Sequence, residues 1–119
     1  MARSRCRPGW LEVKRGDLVT IALSGDYGKP RPALVIQSDL FDVHPSITIL
    51  PVTSELREAP LFRVRIEPTH DNGLRNTSEV MVDKTQTITR EKIGKTIGRL
   101  DDESMLAVNR ALAVFVGFA

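Results

Sequence analysis

The chain has 119 residues, of which 41% are hydrophobic and 27% are charged, with a net charge of only +2. This composition fits one soluble globular domain and excludes a disordered chain, and the small net charge does not by itself indicate a partner. A single cysteine rules out an internal disulfide and favours a reducing, cytoplasmic location. No stretch approaches the roughly 20 apolar residues that span a bilayer, and the basic N-terminus lacks the apolar run of a secretory signal.

The first half of the chain is predicted to form β-strands after a short tail. Residues 1–9 alternate arginines before a Pro-Gly pair, and we interpret them as a flexible basic tail in front of one domain, residues 10–119. Residues 18–23 are largely apolar and follow a Gly-Asp turn, which predicts a strand. Residues 33–36 are a continuous apolar run, typical of a strand covered on both faces. Residues 47–53 predict a third strand, in which Pro51 must sit where the ladder does not need its N–H.

The clearest alternation of the chain follows, and then a long polar segment. Phe62, Val64 and Ile66 alternate with Arg63 and Arg65, which predicts a strand with one face in the core and a solvated cationic face. The next segment, residues 67–78, is polar and rich in turn formers. A loop of this length inside a compact domain is often functional or mobile.

The last third of the chain predicts short strands and then a helix. The short strands are expected over residues 80–82, 86–88 and 95–99, with a brief helical turn that Thr89 could cap. Residues 101–118 are predicted to be helical, because Asp101 is a good N-cap and apolar residues recur at helical spacing. This helix ends so apolar that we expect it to be buried against the sheet, a second subunit, or both. Five or more antiparallel strands before one helix indicate a small, partly open barrel.

Familiar catalytic signatures are absent from the sequence, since there is no P-loop, no dinucleotide-binding glycine turn, no pair of cysteines and no His-Glu-x-x-His motif. What remains is arginine, threonine and carboxylate at predicted strand ends. These residue types suit a reaction that needs no metal, the cleavage of RNA by its own 2′-OH. Arginine neutralises the phosphate, a hydroxyl holds a phosphoryl oxygen and a carboxylate accepts the proton.

Five ordered motifs resemble those of the MazF/PemK toxin family and together span about residues 13–117. They are KRGDLV at 14–19, KPRPALVI at 29–36, PVTS at 51–54, VMVDKTQTI at 80–88 and IGRLDDESM at 97–105. The resemblance implies a single-domain, SH3-like antiparallel β-barrel of the CcdB/MazF type with a C-terminal helix. It also implies a sequence-specific endoribonuclease that cuts single-stranded mRNA and leaves a 2′,3′-cyclic phosphate and a 5′-OH. The family needs no metal or cofactor, forms homodimers, is not membrane-bound and is neutralised by a cognate antitoxin.

Carried over residue by residue, the resemblance assigns catalysis to Arg31 of the RP motif and to Thr53 of the PVTS motif. Asp83 stands where some relatives have an acid proposed as the base. Those relatives carry an arginine two residues earlier, where this chain has Met81. Which group is the general base and which the general acid therefore stays open.

Further residues beside the motifs are candidate contacts to RNA. The loop before the RP motif can cover bound RNA, and its tyrosine offers a face on which a base can stack. The histidine in the polar segment is of the residue type that most often transfers protons, although a solvated role is the alternative for it. The candidate RNA contacts are Asp26, Tyr27, Lys29, Ser54, His70 and Lys84.

Two functions from other classes compete with RNA cleavage. A gyrase poison of the CcdB kind shares the fold and depends on the end of the C-terminal helix. Here residues 116–119 are apolar, but the tryptophan expected near that end is missing. A barrel that only binds nucleic acid is the other alternative, and it would not need Arg31 and Thr53 together.

Overall fold

The computed structural model describes residues 12–22 and 29–119, so the predicted basic tail of residues 1–9 lies outside the described residues. The described part contains seven strands and one α-helix, which confirms the predicted mainly-β fold with a C-terminal helix. The elements are β1 (Asp17–Ile21), β2 (Arg31–Val35), β3 (Ser46–Thr53), β4 (Arg63–Ile66), β5 (Ser78–Met81), β6 (Gln86–Thr89), β7 (Ile93–Arg99) and α1 (Asp102–Val116). Short 3₁₀ turns at Asp39–Phe41, Val82–Lys84 and Arg90–Lys92 connect them.

The strands form one antiparallel sheet in the order β4-β5-β3-β2-β1-β7, and β6 also pairs with β3. The long strand β3 is the centre of this arrangement. On one side it pairs with β2, and on the other it pairs first with β6 and then with β5. Pro51 lies opposite Ala33 of β2, between the β3 residues that pair with β6 and those that pair with β5. The missing N–H of Pro51 is tolerated at this change of partner, as the sequence predicted.

Both faces of the central strands are buried, because their side chains alternate between two apolar clusters. One cluster lies on the face away from α1 and the other between the sheet and α1. In β2, Ala33 and Val35 belong to the first cluster and Leu34 to the second, as expected for the continuous apolar run. The second cluster extends to Val108, the one α1 residue that is fully buried.

Helix α1 begins as its sequence predicts but ends at Val116, two residues before the predicted end. The carboxylate of Asp101 accepts a hydrogen bond from the N–H of Ser104 at 2.9 Å, and contacts with Ser104 hold the pKa of Asp101 below its usual value. Gly117 ends the helix with a φ of +92°, which favours glycine. Only part of the predicted apolar face is covered in the single chain. Beyond residue 113 the large side chains are exposed, and Phe118 is 87% accessible.

Two expectations about local structure need correction. Arg63 is not on a solvated face, because its side chain is 8% exposed and ion-paired with Glu79. The turn after Thr89 exists, but the Thr89 side chain makes no capping hydrogen bond.

None of the helices in the described part is long and apolar enough to span a membrane.

Candidate functional site

Arg31 and Thr53 lie side by side, because antiparallel pairing brings the first residue of β2 next to the last residue of β3. The β2–β3 register pairs Ala33 with Pro51, and Arg31 and Thr53 each lie two residues beyond this pair, at the same end of the sheet. Residues two apart on a strand share a face, so both side chains point to the same side. Both line one cavity of about 600 Å³ at this end of the sheet, the Arg31–Thr53 cavity. The structure thus brings together the two residues that the family resemblance singled out.

The lining of the Arg31–Thr53 cavity is polar and cationic. Ser54 and Glu55 continue from Thr53 along one wall. Arg75 from the β4–β5 connection and Lys95 from β7 also line the cavity, and both are exposed. Three cations around one carboxylate create a positive concave surface, which is the electrostatic character that a phosphate backbone requires.

The Thr53 hydroxyl has a defined orientation in this cavity. Its Oγ1 accepts a hydrogen bond from the backbone N–H of Glu55 at 3.0 Å. A hydroxyl carries one proton and two lone pairs, so this bond uses a lone pair and leaves the proton available. Within the described residues no other hydrogen bond of the Thr53 hydroxyl is formed. Thr53 is therefore set up to donate to an oxygen of a ligand in the cavity.

The wall that carries Arg75 is held by a buried asparagine. The amide oxygen of Asn72 accepts from the N–H groups of Thr69 and Leu74, each at 3.0 Å, and its amide nitrogen donates to the carbonyl of Glu67 at 2.9 Å. Next to it, Gly73 has a φ of +70° and packs against the Ile97 carbonyl so closely that a Cβ would clash. This polar connection is therefore a fixed wall of the cavity.

Asp83 is not in the Arg31–Thr53 cavity. It follows β5 in a 3₁₀ turn and lines a second cavity of about 600 Å³ beneath the end of helix α1, the α1 cavity. Its Oδ1 is buried and has no hydrogen-bond partner among the described residues, and its Oδ2 lies 3.9 Å from the Nζ of Lys84. The other lining is largely apolar and includes Phe115 and Phe118, with Arg15 as the cation.

The predicted RNA contacts separate in the same way. Ser54 lines the Arg31–Thr53 cavity, and Lys29 is exposed next to Pro30 at its rim. His70 is exposed on the β4–β5 connection outside this cavity, and Lys84 lies beside Asp83. Asp26 and Tyr27 lie outside the described residues.

Sequence reasoning missed Arg75, Asn76 and Lys95, which all line the Arg31–Thr53 cavity. Lys95 is brought there by long-range pairing, since β7 pairs with β1 and β1 with β2. No local spacing signals such a contact, and only the strand order could have revealed it. Among residues 12–22 and 29–119, no three His, Cys, Asp or Glu side chains are grouped so that they could hold a metal ion.

The chain is similar to known toxins over most of its length. Residues 14–116 match the model of the PemK-like, MazF-like toxins of type II toxin-antitoxin systems. A probable endoribonuclease MazF of Mycolicibacterium smegmatis is 46% identical over 108 residues, which are 90% of this chain and 99% of that protein. Endoribonuclease EndoA of Bacillus subtilis is 31% identical, covering 86% of this chain and 92% of that protein.

Solved structures share the fold as well. An endoribonuclease from a mycobacterial species, in complex with its cognate antitoxin, superposes with a TM-score of 0.77 at 23% identity and covers 90% of this chain and 97% of that chain. The Mycobacterium tuberculosis toxin MazF-mt6 superposes with a TM-score of 0.73 at 26% identity, covering 85% and 96%. The agreement extends along nearly the whole of each of these chains.

Proposed function

The chain belongs to the PemK/MazF family of type II toxins and is an endoribonuclease, and we propose that it cuts single-stranded RNA in the Arg31–Thr53 cavity. The observation that carries this proposal is the juxtaposition of Arg31 and Thr53 in one cationic cavity. RNA supplies its own nucleophile, so the protein has to orient a phosphate, neutralise its developing charge and move two protons. The cavity offers groups for each of these tasks.

The proposed reaction is an internal transfer of the phosphoryl group. The 2′-oxygen attacks the neighbouring phosphorus and forms a new P–O bond, while the bond from phosphorus to the 5′-oxygen breaks. The products are a 2′,3′-cyclic phosphate and a 5′-OH, with one proton lost from the 2′-OH and one gained by the leaving oxygen. No metal, cofactor or other reactant enters this balance.

The charged and hydroxyl groups divide the work. Arg31 pairs with the non-bridging phosphate oxygens, where the planar guanidinium fits and stays charged. Thr53 donates its free proton to one of these oxygens, and both contacts strengthen as charge develops in the transition state. Glu55 is the carboxylate in this cavity, and we assign it to accept the 2′-OH proton in preference to Asp83, which lines the α1 cavity.

Substrate binding follows from the same lining. Arg75 and Lys95 are assigned to adjacent phosphates of the strand, and Ser54 and Asn76 offer neutral hydrogen-bond groups to bases or sugars. The cleavage sequence depends on those base contacts. A single-stranded substrate suits the open cavity, because unstacked bases can turn towards its walls.

We also propose a homodimer and a protein inhibitor. The end of α1 leaves Val114, Phe115, Val116 and Phe118 half or more exposed, and a second copy of the chain would cover them. The mycobacterial structure with its cognate antitoxin motivates the proposal that an antitoxin also neutralises this chain. A cell interior is the setting for such an enzyme, and the lone cysteine of the sequence is compatible with it.

An RNA digest in EDTA tests the proposed function. Purified protein is expected to cut an unstructured RNA, and mapping of the product ends should find cyclic phosphate and 5′-OH. Arg31→Ala and Thr53→Val should each lower the single-turnover rate by about 100-fold or more. Arg110→Ala and Thr89→Val, at exposed positions outside the cavity, are the matched controls and should cut at the wild-type rate.

The two competing functions give different results in this experiment. Absence of cleavage together with blocked gyrase supercoiling would support the CcdB-like alternative, which depends on the exposed end of α1. Absence of both, with retained binding to nucleic acid, would support a non-enzymatic barrel. Cleavage that persists in Arg31→Ala and Thr53→Val would move the active site elsewhere.

A further inference from the structure

Glu79 of β5 is a buried carboxylate with a full set of partners. Its residue is 3% exposed. Oε1 accepts from the backbone N–H of Arg57 at 3.0 Å and from Arg63 Nη1 at 2.9 Å, and Oε2 accepts from Arg65 Nη2 at 2.9 Å. Burial alone would raise the pKa of Glu79, but these hydrogen bonds outweigh it and lower the pKa to about 2. Glu79 is therefore ionised whenever the protein is folded near neutral pH.

The position of Glu79 relates it to the proposed active site. Residues 53 and 79 face each other in the β3–β5 register, and residues 79 and 65 face each other in the β4–β5 register. Directly opposite residues project to the same face. Thr53, Glu79 and Arg65 therefore form a row across three strands, and the ion pairs of the buried Glu79 begin next to the proposed catalytic threonine.

A continuous set of hydrogen bonds joins Glu79 to the Thr53 hydroxyl. The same Nη1 of Arg63 that binds Glu79 also donates to the backbone carbonyl of Glu55 at 2.9 Å. The N–H of Glu55 in turn donates to Thr53 Oγ1 at 3.0 Å. The carboxylate fixes the guanidinium, the guanidinium fixes the Glu55 residue, and this residue orients the hydroxyl.

We infer that Glu79 is a positioning residue for RNA cleavage, which acts through Arg63 and the Glu55 backbone to hold the Thr53 hydroxyl proton towards the bound phosphate. This inference rests on the proposed function. The alternative is an ion pair that only stabilises the β4–β5 hairpin. Such a pair would affect how much protein is folded, but it would leave the rate constant of the folded enzyme unchanged.

Glu79→Gln is the most direct variant, because it keeps the side-chain shape and replaces one acceptor oxygen by an NH₂ group. That group cannot accept from a guanidinium, so at least one of the three donors loses its partner. Glu58→Gln is the matched control. Glu58 lies in the β3–β4 connection and lines the same small pocket as Glu79 and its arginine partners, but it is exposed.

The test is a double-mutant cycle of Glu79→Gln with Thr53→Val, measured in EDTA under single-turnover conditions with enzyme in excess. Glu79→Gln alone is expected to lower the maximal cleavage rate by about 10- to 100-fold with little change in the RNA concentration at half-maximal rate. In the Thr53→Val background it should cause no further loss, because the hydroxyl that it positions is gone. Glu58→Gln should equal the wild type in both backgrounds.

Two results would overturn the inference while leaving the proposed function intact. One is a wild-type rate in Glu79→Gln. The other is that Glu79→Gln lowers the cleavage rate of Thr53→Val by the same factor as it lowers that of the wild type. The two substitutions would then act independently, so Glu79 would not act through Thr53. A wild-type protein that does not cut RNA would overturn the proposed function and this inference together.

A second variant and a second measurement keep the test valid if Glu79→Gln folds poorly. Arg63→Lys retains the positive charge, but its side chain is one atom shorter than that of arginine, so its ammonium does not reach both Glu79 and the Glu55 carbonyl. It should likewise cause no further loss of rate in the Thr53→Val background. Amide hydrogen exchange reports the geometry without any reaction. The Glu55 and Arg57 N–H groups should exchange faster in Glu79→Gln than in the wild type, and at the wild-type rate in Glu58→Gln. Wild-type exchange rates of both N–H groups in Glu79→Gln would contradict the positioning role.

Discussion

The Arg31–Thr53 cavity and the α1 cavity have the same volume, about 600 Å³ each, but opposite chemistry. The first is formed where strands end, and its lining is polar and cationic. The second is formed by the apolar end of a helix against a turn, and Asp83 is its carboxylate. A phosphate suits the first surface and an apolar protein segment suits the second, so the proposed catalysis and the proposed association have separate places on one small domain.

The two carboxylates provide the sharpest test of this separation. Glu55→Gln is expected to lower the single-turnover cleavage rate by about 100-fold, the usual contribution of a general base. Asp83→Asn, measured in the same way, should leave the rate near that of the wild type, because its carboxylate lines the other cavity. Thermal unfolding of both variants controls for stability. If Asp83→Asn were the slower enzyme, the α1 cavity would have to take part in catalysis and the comparison would fail.

The cations of the Arg31–Thr53 cavity should matter for binding more than for chemistry. Arg75→Ala and Lys95→Ala are each expected to raise the KM for RNA by about tenfold, with a smaller change in kcat. Each should also reduce the slope of log affinity against log salt concentration by about 0.7, the value for one phosphate contact in a single strand. Arg110→Ala, an exposed cation on α1, serves as the control. Unchanged salt slopes would show that the RNA follows another path.

Much of this site was predictable from the sequence, and the reason is local. Arg31 precedes a buried apolar run and Thr53 ends another, so both were expected at strand ends. Antiparallel pairing of sequential strands is the common arrangement, and it brings such ends together. The capped start of α1 at Asp101 follows from equally local signals.

The rest depended on contacts between distant parts of the chain. Arg63 alternates with apolar residues like any solvated side chain, and its burial is explained by its partners in other elements, Glu79 of β5 and the Glu55 carbonyl. Lys95 reaches the cavity only through the order of β7, β1 and β2. Asn72 is a local exception, because its hydrogen bonds reach only residues 67, 69 and 74, yet composition does not show which of the turn formers is buried. Sequence patterns report the neighbours along a strand, whereas Arg63 and Lys95 are defined by neighbours across strands.

Substitutions at the exposed end of α1, beside the α1 cavity, should change dimer formation without altering the Arg31–Thr53 cavity. Phe118→Asp places a charge at the 87% exposed end of α1, where a second subunit would have to bury it at considerable cost. Light scattering coupled to size exclusion should find twice the chain mass of 13.2 kDa for the wild type and a single chain mass for the variant. Leu40→Asp, at an equally exposed position of 86% outside α1, should remain dimeric. A wild-type monomer, or dissociation by Leu40→Asp instead, would remove α1 from the interface.

The smallest expected effect is a loss of thermal stability in acid that comes from the ion pairs of Glu79. Folding lowers the pKa of Glu79 to about 2, below the value of about 4.3 for a glutamate in an unfolded chain. A carboxylate with a lowered pKa stabilises the fold fully above its unfolded pKa, and this contribution is lost as the pH falls towards the folded pKa. The Tm of the wild type should therefore fall between about pH 4.3 and pH 2.

The Glu79→Gln variant separates this contribution from the titration of the other acids. Its Tm should be lower than that of the wild type near neutral pH, because an arginine loses its buried partner. The difference between the two proteins should then shrink as the pH falls, since acid removes the same charge from the wild type that the substitution removes at every pH. Glu58→Gln should follow the wild-type curve throughout. Curves of Glu79→Gln and wild type that stay parallel down to low pH would mean that the buried ion pairs stabilise neither the hairpin nor the wall of the Arg31–Thr53 cavity.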